Sequence, residues 1–268
     1  MPVSYKLEAL KAQAVCARSY AYRQMENYAY PKYRAHVNDS TDYQVYGNSK
    51  QVDSAVKAVR QTVGETVKYK GKIATTYYYS TSSGRTTTTA AWGSTSSAAT
   101  GYLKSVRVSG KNGDYEKNLP WYRWTVDVTA ARLSTILYKN TGKDVGSIRK
   151  IYISKRGPGK VALELKVKGD KGNLTVKTEN KIRSALAGDY DIRKQDGSKV
   201  KFRTLLPSAF ITIAKKKSQI HIRGGGFGHG IGMSQTGANE MAKQGKTYKE
   251  ILKLFYSCLL YTSDAADD

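Results

Sequence analysis

Gly224-Gly225-Gly226-Phe227-Gly228-His229-Gly230-Ile231-Gly232-Met233-Ser234-Gln235-Thr236-Gly237-Ala238 puts six glycines into nine residues, with one of the chain's three histidines among them. Glycine loses more conformational freedom on folding than any other residue. A run this dense therefore calls for positive φ angles or for a close approach of backbone to a ligand. A His, a Ser and a Gln in the same loop favour the close approach and mark a site, since loops on rigid scaffolds carry chemistry disproportionately. The alternative is a tight strand-to-helix turn around a hydrogen-bonded His.

Spacing removes several chemistries. No register from Gly224 to Gly237 supplies the G-x-G-x-x-G of a dinucleotide loop, and no Lys follows these glycines as a phosphate loop requires. Gly232-Met233-Ser234-Gln235-Thr236 lacks the final Gly of a nucleophile elbow. His221 and His229 stand eight apart with no acidic residue between them, which excludes a His-x-x-x-His zinc site.

Outward from the loop, residues 209–213 and 218–223 read as strands leading into it, and 234–243 as a helix with Gly245 past its end. Thr247 and Glu250 form a capping box for a last helix through Phe255. At the other end, Leu7, Leu10, Ala14, Ala17 and Ala21 predict an amphipathic helix over about 5–26, with Ser4 as N-cap. Lys11 and Arg18 fall on nearly one stripe of it, two turns apart. Val52 to Val63 predicts a second helix closed by Gly64, and 66–69 with 72–79 a hairpin turning at Lys70-Gly71. Residues 80–100 are rich in Ser, Thr and Gly, as in a flexible loop or one lining a site. From Tyr102 to about Lys201, Val/Ile/Tyr runs alternate with turn pairs such as Asn112-Gly113 and Thr141-Gly142, a β-rich texture. The class is α+β: a mixed helix-and-sheet core, 1–105 plus 200–257, with a β-rich inserted subdomain at 106–199.

The chain carries 45 Lys+Arg against 21 Asp+Glu, a net charge of +24, which favours a polyanionic partner such as nucleic acid, an envelope polymer or a membrane surface. No apolar run is long enough to span a membrane, and no signal peptide is visible. Cys16 and Cys258 are too few for a disulfide scaffold or a Cys-based zinc site. Twenty-one Tyr against four Phe fits a wet, carbohydrate-facing surface.

Two separated segments carry a resemblance. Glu8-Ala9-Leu10-Lys11-Ala12-Gln13-Ala14-Val15-Cys16-Ala17-Arg18-Ser19-Tyr20-Ala21 resembles the EALKAQAVAARTYA helix of the stage II sporulation protein D family, which includes the amidase-enhancer proteins. Gly226 to Gln235 resembles its second signature, GxGHGVGMSQxGA. Asp39-Ser40-Thr41-Asp42-Tyr43-Gln44-Val45-Tyr46, residues 77–86 and Tyr102-Leu103 are similar to stretches that the family places between them. The resemblance runs from Met1 to about Tyr256. Beyond it, 258–268 follows no family pattern and reads as a non-native tail.

The resemblance implies an extracytoplasmic protein of the bacterial cell envelope acting on peptidoglycan, at the septum or between forespore and mother cell in a spore former. Sporulation members are lytic transglycosylases that cleave glycan strands stripped of stem peptides, leaving 1,6-anhydro ends. Such strands carry one lactyl carboxylate per disaccharide. They account for the charge better than nucleic acid, which is not expected as a partner; a cell-wall amidase is. The family's general acid is a Glu immediately before a Met-Pro pair. Met1-Pro2 begins this chain, so the expected Glu would precede Met1, and no export or anchor segment lies in the chain.

For the residues present, the resemblance implies that Lys11, Arg18 and His229 support the acid and hold substrate. On the residues alone, Lys11 and Arg18 are equally a surface stripe, and His229 a buried prop of its turn. Gln13, Ser80, Ser82, Ser83, Gly84, Gly228, Ser234 and Gln235 are expected to line the glycan groove, although Ser234 and Gln235 also suit a helix cap. Zinc-binding members carry cysteines near the QVY stretch; Tyr43 precedes Gln44 here and no Cys is near, so no metal or other cofactor is expected. A non-catalytic glycan-binding amidase enhancer is the competing function.

Overall fold

A computed structural model describes all residues except 41, 46, 48, 49, 95–98, 258, 259 and 264–268, and for 260–263 it describes the backbone. Thr41 and Tyr46 of the QVY stretch, and Cys258, Leu259 and 264–268 of the expected tail, thus lie outside the described residues. Helices α1 (Leu7–Gln24) and α2 (Asp53–Arg60) come first. Strands β1 (Glu65–Tyr69), β2 (Lys72–Ile73), β3 (Tyr78–Tyr79), β4 (Ser109–Gly110), β5 (Gly113–Asp114) and β6 (Trp124–Thr129) follow. After α3 (Ala130–Thr141) come β7 (Ile148–Arg156), β8 (Ala162–Gly169), β9 (Asn173–Lys177), α4 (Glu179–Ala185), β10 (Asp191–Lys194) and β11 (Lys199–Lys201). The last described elements are β12 (Ile211–Lys216), β13 (Gln219–Gly224), β14 (Met233–Ser234), α5 (Gln235–Lys243), α6 (Tyr248–Phe255) and β15 (Leu260–Ser263). This is the α+β class that the sequence predicts. The chain divides into two compact units, Met1–Tyr78 with Ala238–Asp268, and Tyr79–Gly237. The residues expected as an insert, 106–199, lie inside the second.

In the first unit, α1 buries Ala9, Ala12, Cys16 and Ser19, small residues at three- and four-residue spacing, together with Leu10, Val15 and Tyr20. Small side chains on that face let α2, β1 and α6 pack closely against it. Ser4 does not cap the helix. The residue before α1 is Lys6, whose backbone N–H donates to Asn239 Oδ1 at 2.9 Å. Lys70 (φ 50°) and Gly71 (φ 76°) form the hairpin turn between β1 and β2, the left-handed pair that suits strand twist. The second strand ends at Ile73 rather than running to Tyr79, because Thr76 donates its hydroxyl to the Cys16 carbonyl at 2.7 Å and holds the segment against α1. The backbone of β15 pairs antiparallel with β1. The capping box of α6 forms through Thr247 and Glu250, and its Ile251, Leu252 and Phe255 are buried.

The second unit is built on a five-stranded sheet ordered β11-β10-β6-β13-β12. Alternate residues of its central pair, Trp124, Val126 and Val128 on β6 and Ile220 and Ile222 on β13, are buried. A meander β7-β8-β9 stands beside it in sequence, with α4 packed on β8 and β9. The β-rich texture of 102–201 thus conceals two helices. Thr129 caps α3 by accepting from Arg132 N at 3.2 Å, and Leu133 and Leu137 are its buried stripe. Thr141-Gly142, read from sequence as a strand turn, is the C-terminus of that helix, with Gly142 at φ 71°.

Cys16 is fully buried with Sγ 3.4 Å from the Tyr256 hydroxyl, and burial pushes its thiol up to about 12. In a Cys258→Ser variant, no thiol is expected to react with DTNB at pH 8 until denaturant unfolds the first unit. Reaction within seconds in native buffer would contradict that packing.

Candidate functional site

Along the loop, Gly226 (φ 78°), Gly228 (φ 117°), Gly230 (φ 81°) and Gly232 (φ 73°) put every second residue in the left-handed region. A Cβ on Gly226 would stand 2.7 Å from the Thr81 carbonyl oxygen, and one on Gly228 2.7 Å from Tyr79 Cβ. The close approach is therefore to the protein's own chain, the segment 79–88. Phe227 N donates to Thr81 O at 2.7 Å, Thr81 N to Phe227 O at 3.0 Å, and Thr87 N to Gly230 O at 2.7 Å. Thr81, Ser82, Thr86 and Thr87 are at most 2% exposed. The Ser/Thr run that reads as a flexible or site-lining loop is here a buried partner of the glycine loop.

Glu116 joins the two segments. It is fully buried, and its Oε1 accepts from Ser82 N at 2.9 Å and from the Ser234 hydroxyl at 2.7 Å. The Thr236 hydroxyl also donates to Oε1, and the Ser82 hydroxyl to Oε2. Ser80 completes the cluster, its carbonyl accepting from Thr236 N at 2.9 Å. Burial raises the Glu116 pKa while these donors oppose the rise. Ser82 and Ser234 thus spend their hydroxyls on this carboxylate, with no exposed surface to offer a sugar beyond 1%. The sequence reading missed Glu116. A signal exists: Asp114 and Glu116 are the only acidic residues between Glu65 and Asp127.

His229 is half-buried, with its ring 5.5 Å from that of Tyr79 and 5.2 Å from that of Trp92. Its Nδ1 accepts from Ile231 N at 3.0 Å, which in the neutral ring leaves the proton on Nε2. Trp92 is held in turn by Nε1 donating to Glu179 Oε1 at 3.0 Å. Gly228 lies against Tyr79, and Gln235 opens α5 half-buried. Ser83 and Gly84 line a separate cavity of about 930 Å³ together with Gly224 and Gly225.

Lys11, Gln13 and Arg18 belong to the first unit. Arg18 donates to the Thr62 and Glu65 carbonyls at 2.7 and 2.8 Å, tying α1 to the start of β1. Lys11 pairs with Glu8 at 2.7 Å with 16% of its side chain exposed, and Glu8 also accepts from Tyr248 N at 2.8 Å. Gln13 hydrogen-bonds the Tyr78 side chain, whose hydroxyl donates to Gln44 Oε1 at 2.6 Å. Gln44 of the QVY stretch thus anchors on α1, where its amide donates to Ala17 O at 3.3 Å. Among the described residues, no group of three His, Cys, Asp or Glu side chains is placed to hold a metal ion.

A family model described as "Stage II sporulation protein" matches residues 1–69, and one described as "Domain of unknown function (DUF8618)" matches 95–232. The stage II sporulation protein D of Bacillus subtilis (strain 168) is 31% identical over 271 residues, covering 96% of this chain and 69% of its own length. The chain belongs to the stage II sporulation protein D family. The Bacillus amyloliquefaciens stage II sporulation protein D is likewise 31% identical, over 274 residues with the same shares covered. The amidase enhancer of Bacillus subtilis (strain 168) is 32% identical over 291 residues, 98% of this chain, but the chain spans only 39% of that relative's length. Both motifs by which the sequence resembles the family thus fall on described structure, α1 in one unit and the Glu116-braced loop in the other.

Replacing Glu116 by Ala removes the carboxylate that accepts from Ser82 N and three hydroxyls, and is expected to cost the second unit about 3 kcal/mol in denaturant unfolding. The conservative Glu116→Gln tests the charge. Because burial lifts this carboxyl above its ordinary 4.5, the folded state holds the proton more tightly than the unfolded chain. That contribution is complete below pH 4.5 and is lost as pH rises through the folded value. Glu116→Gln should flatten this part of the stability–pH curve; an unchanged slope would refute the assignment.

Proposed function

We propose that this chain engages peptidoglycan glycan strands stripped of stem peptides and belongs to a lytic transglycosylase of the stage II sporulation protein D type, working outside the cytoplasm in the cell envelope. The observation that carries this reading is the cup around His229. Two aromatic rings, Tyr79 and Trp92, flank an imidazole whose Nδ1 is already engaged within the loop. Tyr79 is only 5% exposed and packs against the imidazole, whereas the half-buried Trp92 can offer an aromatic face to the C–H face of a sugar. An imidazole N–H suits a hydroxyl or acetamido oxygen. The +24 charge supplies long-range attraction for a strand bearing carboxylates. Among the described residues, no helix is long and apolar enough to cross a membrane.

Lytic cleavage needs one group that first protonates the glycosidic oxygen and then accepts the proton of the sugar's own 6-hydroxyl. The family's Glu before Met-Pro would fill that role. Lys11, fixed by Glu8 and stacked 5.6 Å from the Tyr248 ring, stands eleven positions after it as a cation able to steady a carboxylate. Arg18 supports α1 through the carbonyls that it holds. The likeness to the amidase enhancer favours a second reading, a glycan-binding protein that assists an amidase without cutting.

The 268-residue polypeptide is expected to co-sediment with denuded strands without releasing anhydro-ended products. Its binding should weaken with added salt and fall about tenfold in His229→Ala, the loss of a well-placed hydrogen bond to a bound sugar. Placing a Glu-containing family segment before Met1 should give anhydro ends detectable by mass spectrometry. Binding without cleavage in that extended chain would favour the amidase-enhancer reading, and no binding at all would end both.

A further inference from the structure

Six cationic side chains, Arg85, Arg107, Arg123, Arg156, Lys160 and Arg223, line the 930 Å³ cavity of the second unit, with Asp114 as the one carboxylate in its wall. Two of the guanidiniums, those of Arg123 and Arg156, are held by backbone carbonyls, and that of Arg107, largely exposed, makes a single ion pair. Arg107 Nε lies 3.5 Å from Asp114 Oδ1, and Asp114 is itself held by the Tyr122 hydroxyl at 2.6 Å. Arg123 donates to the Tyr122 and Ser83 carbonyls at 2.6 and 3.1 Å and stacks 3.7 Å above the Tyr122 ring. Arg156 donates to the Lys160 and Ile211 carbonyls, both at 2.9 Å, and burial lowers its pKa. A guanidinium has five N–H donors, so each keeps donors in reserve. Among the described residues, the side chains of Arg85, Lys160 and Arg223 have no protein acceptor.

A concave wall with this excess of one sign concentrates its field on whatever fills it. We propose that this cavity binds a phosphodiester polymer, a chain of phosphates joined by short polyols. Charge density decides the class. A stripped glycan strand brings one carboxylate per disaccharide, too few in this volume to answer six cations. A polyol phosphate brings a charge every few carbons, and each phosphate presents oxygens that several arginine forks can share. Nucleic acid has the charge but not the fit: proteins that bind single strands stack bases on aromatic platforms, and the cavity wall holds one aromatic ring, Phe210. The site is separate from the cup of Tyr79, Trp92 and His229, and it does not depend on the glycan reading.

Titration calorimetry of the full chain with glycerol phosphate oligomers, peptide-stripped glycan strands and oligonucleotides of matched charge tests the assignment. The glycerol phosphate oligomer should bind most tightly. The double variant Arg85→Gln/Arg223→Gln should lower that affinity at least tenfold, reduce its salt dependence and leave glycan binding within twofold. Its melting temperature should match that of the parent, since neither side chain has a protein acceptor to lose. Arg223→Lys, which keeps the charge and loses the fork, should fall between. An oligomer that gives no binding, an affinity indifferent to the double variant, tighter binding of the oligonucleotide, or a parallel loss of glycan affinity would each overturn the proposal. In the last case the cavity belongs to the glycan site, and the glycan reading survives without this one.

Discussion

A carboxylate buried among hydroxyls organises the second unit. Glu116 has no exposed surface and, among the described residues, no ion-pair partner, yet it accepts from a backbone N–H and three side-chain hydroxyls. A buried carboxylate without such donors would be costly, and buried hydroxyls without an acceptor would be costly as well. Together they satisfy one another. The pairing draws the turn after Thr81 and the start of α5 onto a single point, and so sets the path of the glycine loop between them.

The glycine loop follows from that constraint. Its backbone must cross the 79–88 segment at hydrogen-bonding distance, and at Gly226 and Gly228 there is no room for a Cβ. Alternate positive φ angles give the chain a tight course in which His229 lies half-buried between Tyr79 and Trp92. Ser234 and Thr236 at the end of the loop are part of the brace around Glu116. In the first unit, Arg18 plays a comparable part. Its charge reads as a ligand for substrate, but its donors go to two carbonyls that fasten α1 to β1.

Much of the local structure was legible. The helix α1, the Lys70-Gly71 turn and the Thr247/Glu250 capping box are all written in short-range patterns, because their hydrogen bonds close within a few residues. The helices α3 and α4 escaped notice because both are flanked by strand-like runs, because α4 is only 7 residues long, and because Gly142 signals a turn as readily as a helix end. Within the site, the sequence marked His229 and Gly228 correctly as members of one loop. The helix-cap alternative for Ser234 matches its acceptance from Gly237 N at 3.2 Å, but the sequence gave no hint that Ser82 faces inward or that both serines share Glu116.

Taken alone, the amino-acid order determined the family, through two motifs at opposite ends of the chain, the α+β class, and the net charge of +24. Only the tertiary structure decided which of the polar residues are braces and which remain available. Glu116 meets Ser82 across 34 positions and Ser234 across 118, and the six cations of the basic cavity come from segments spread between Arg85 and Arg223. Periodicity and capping rules report contacts made within a turn or two. A hydrogen bond closed across a hundred residues leaves no local trace, so its partners are known only once the chain has folded.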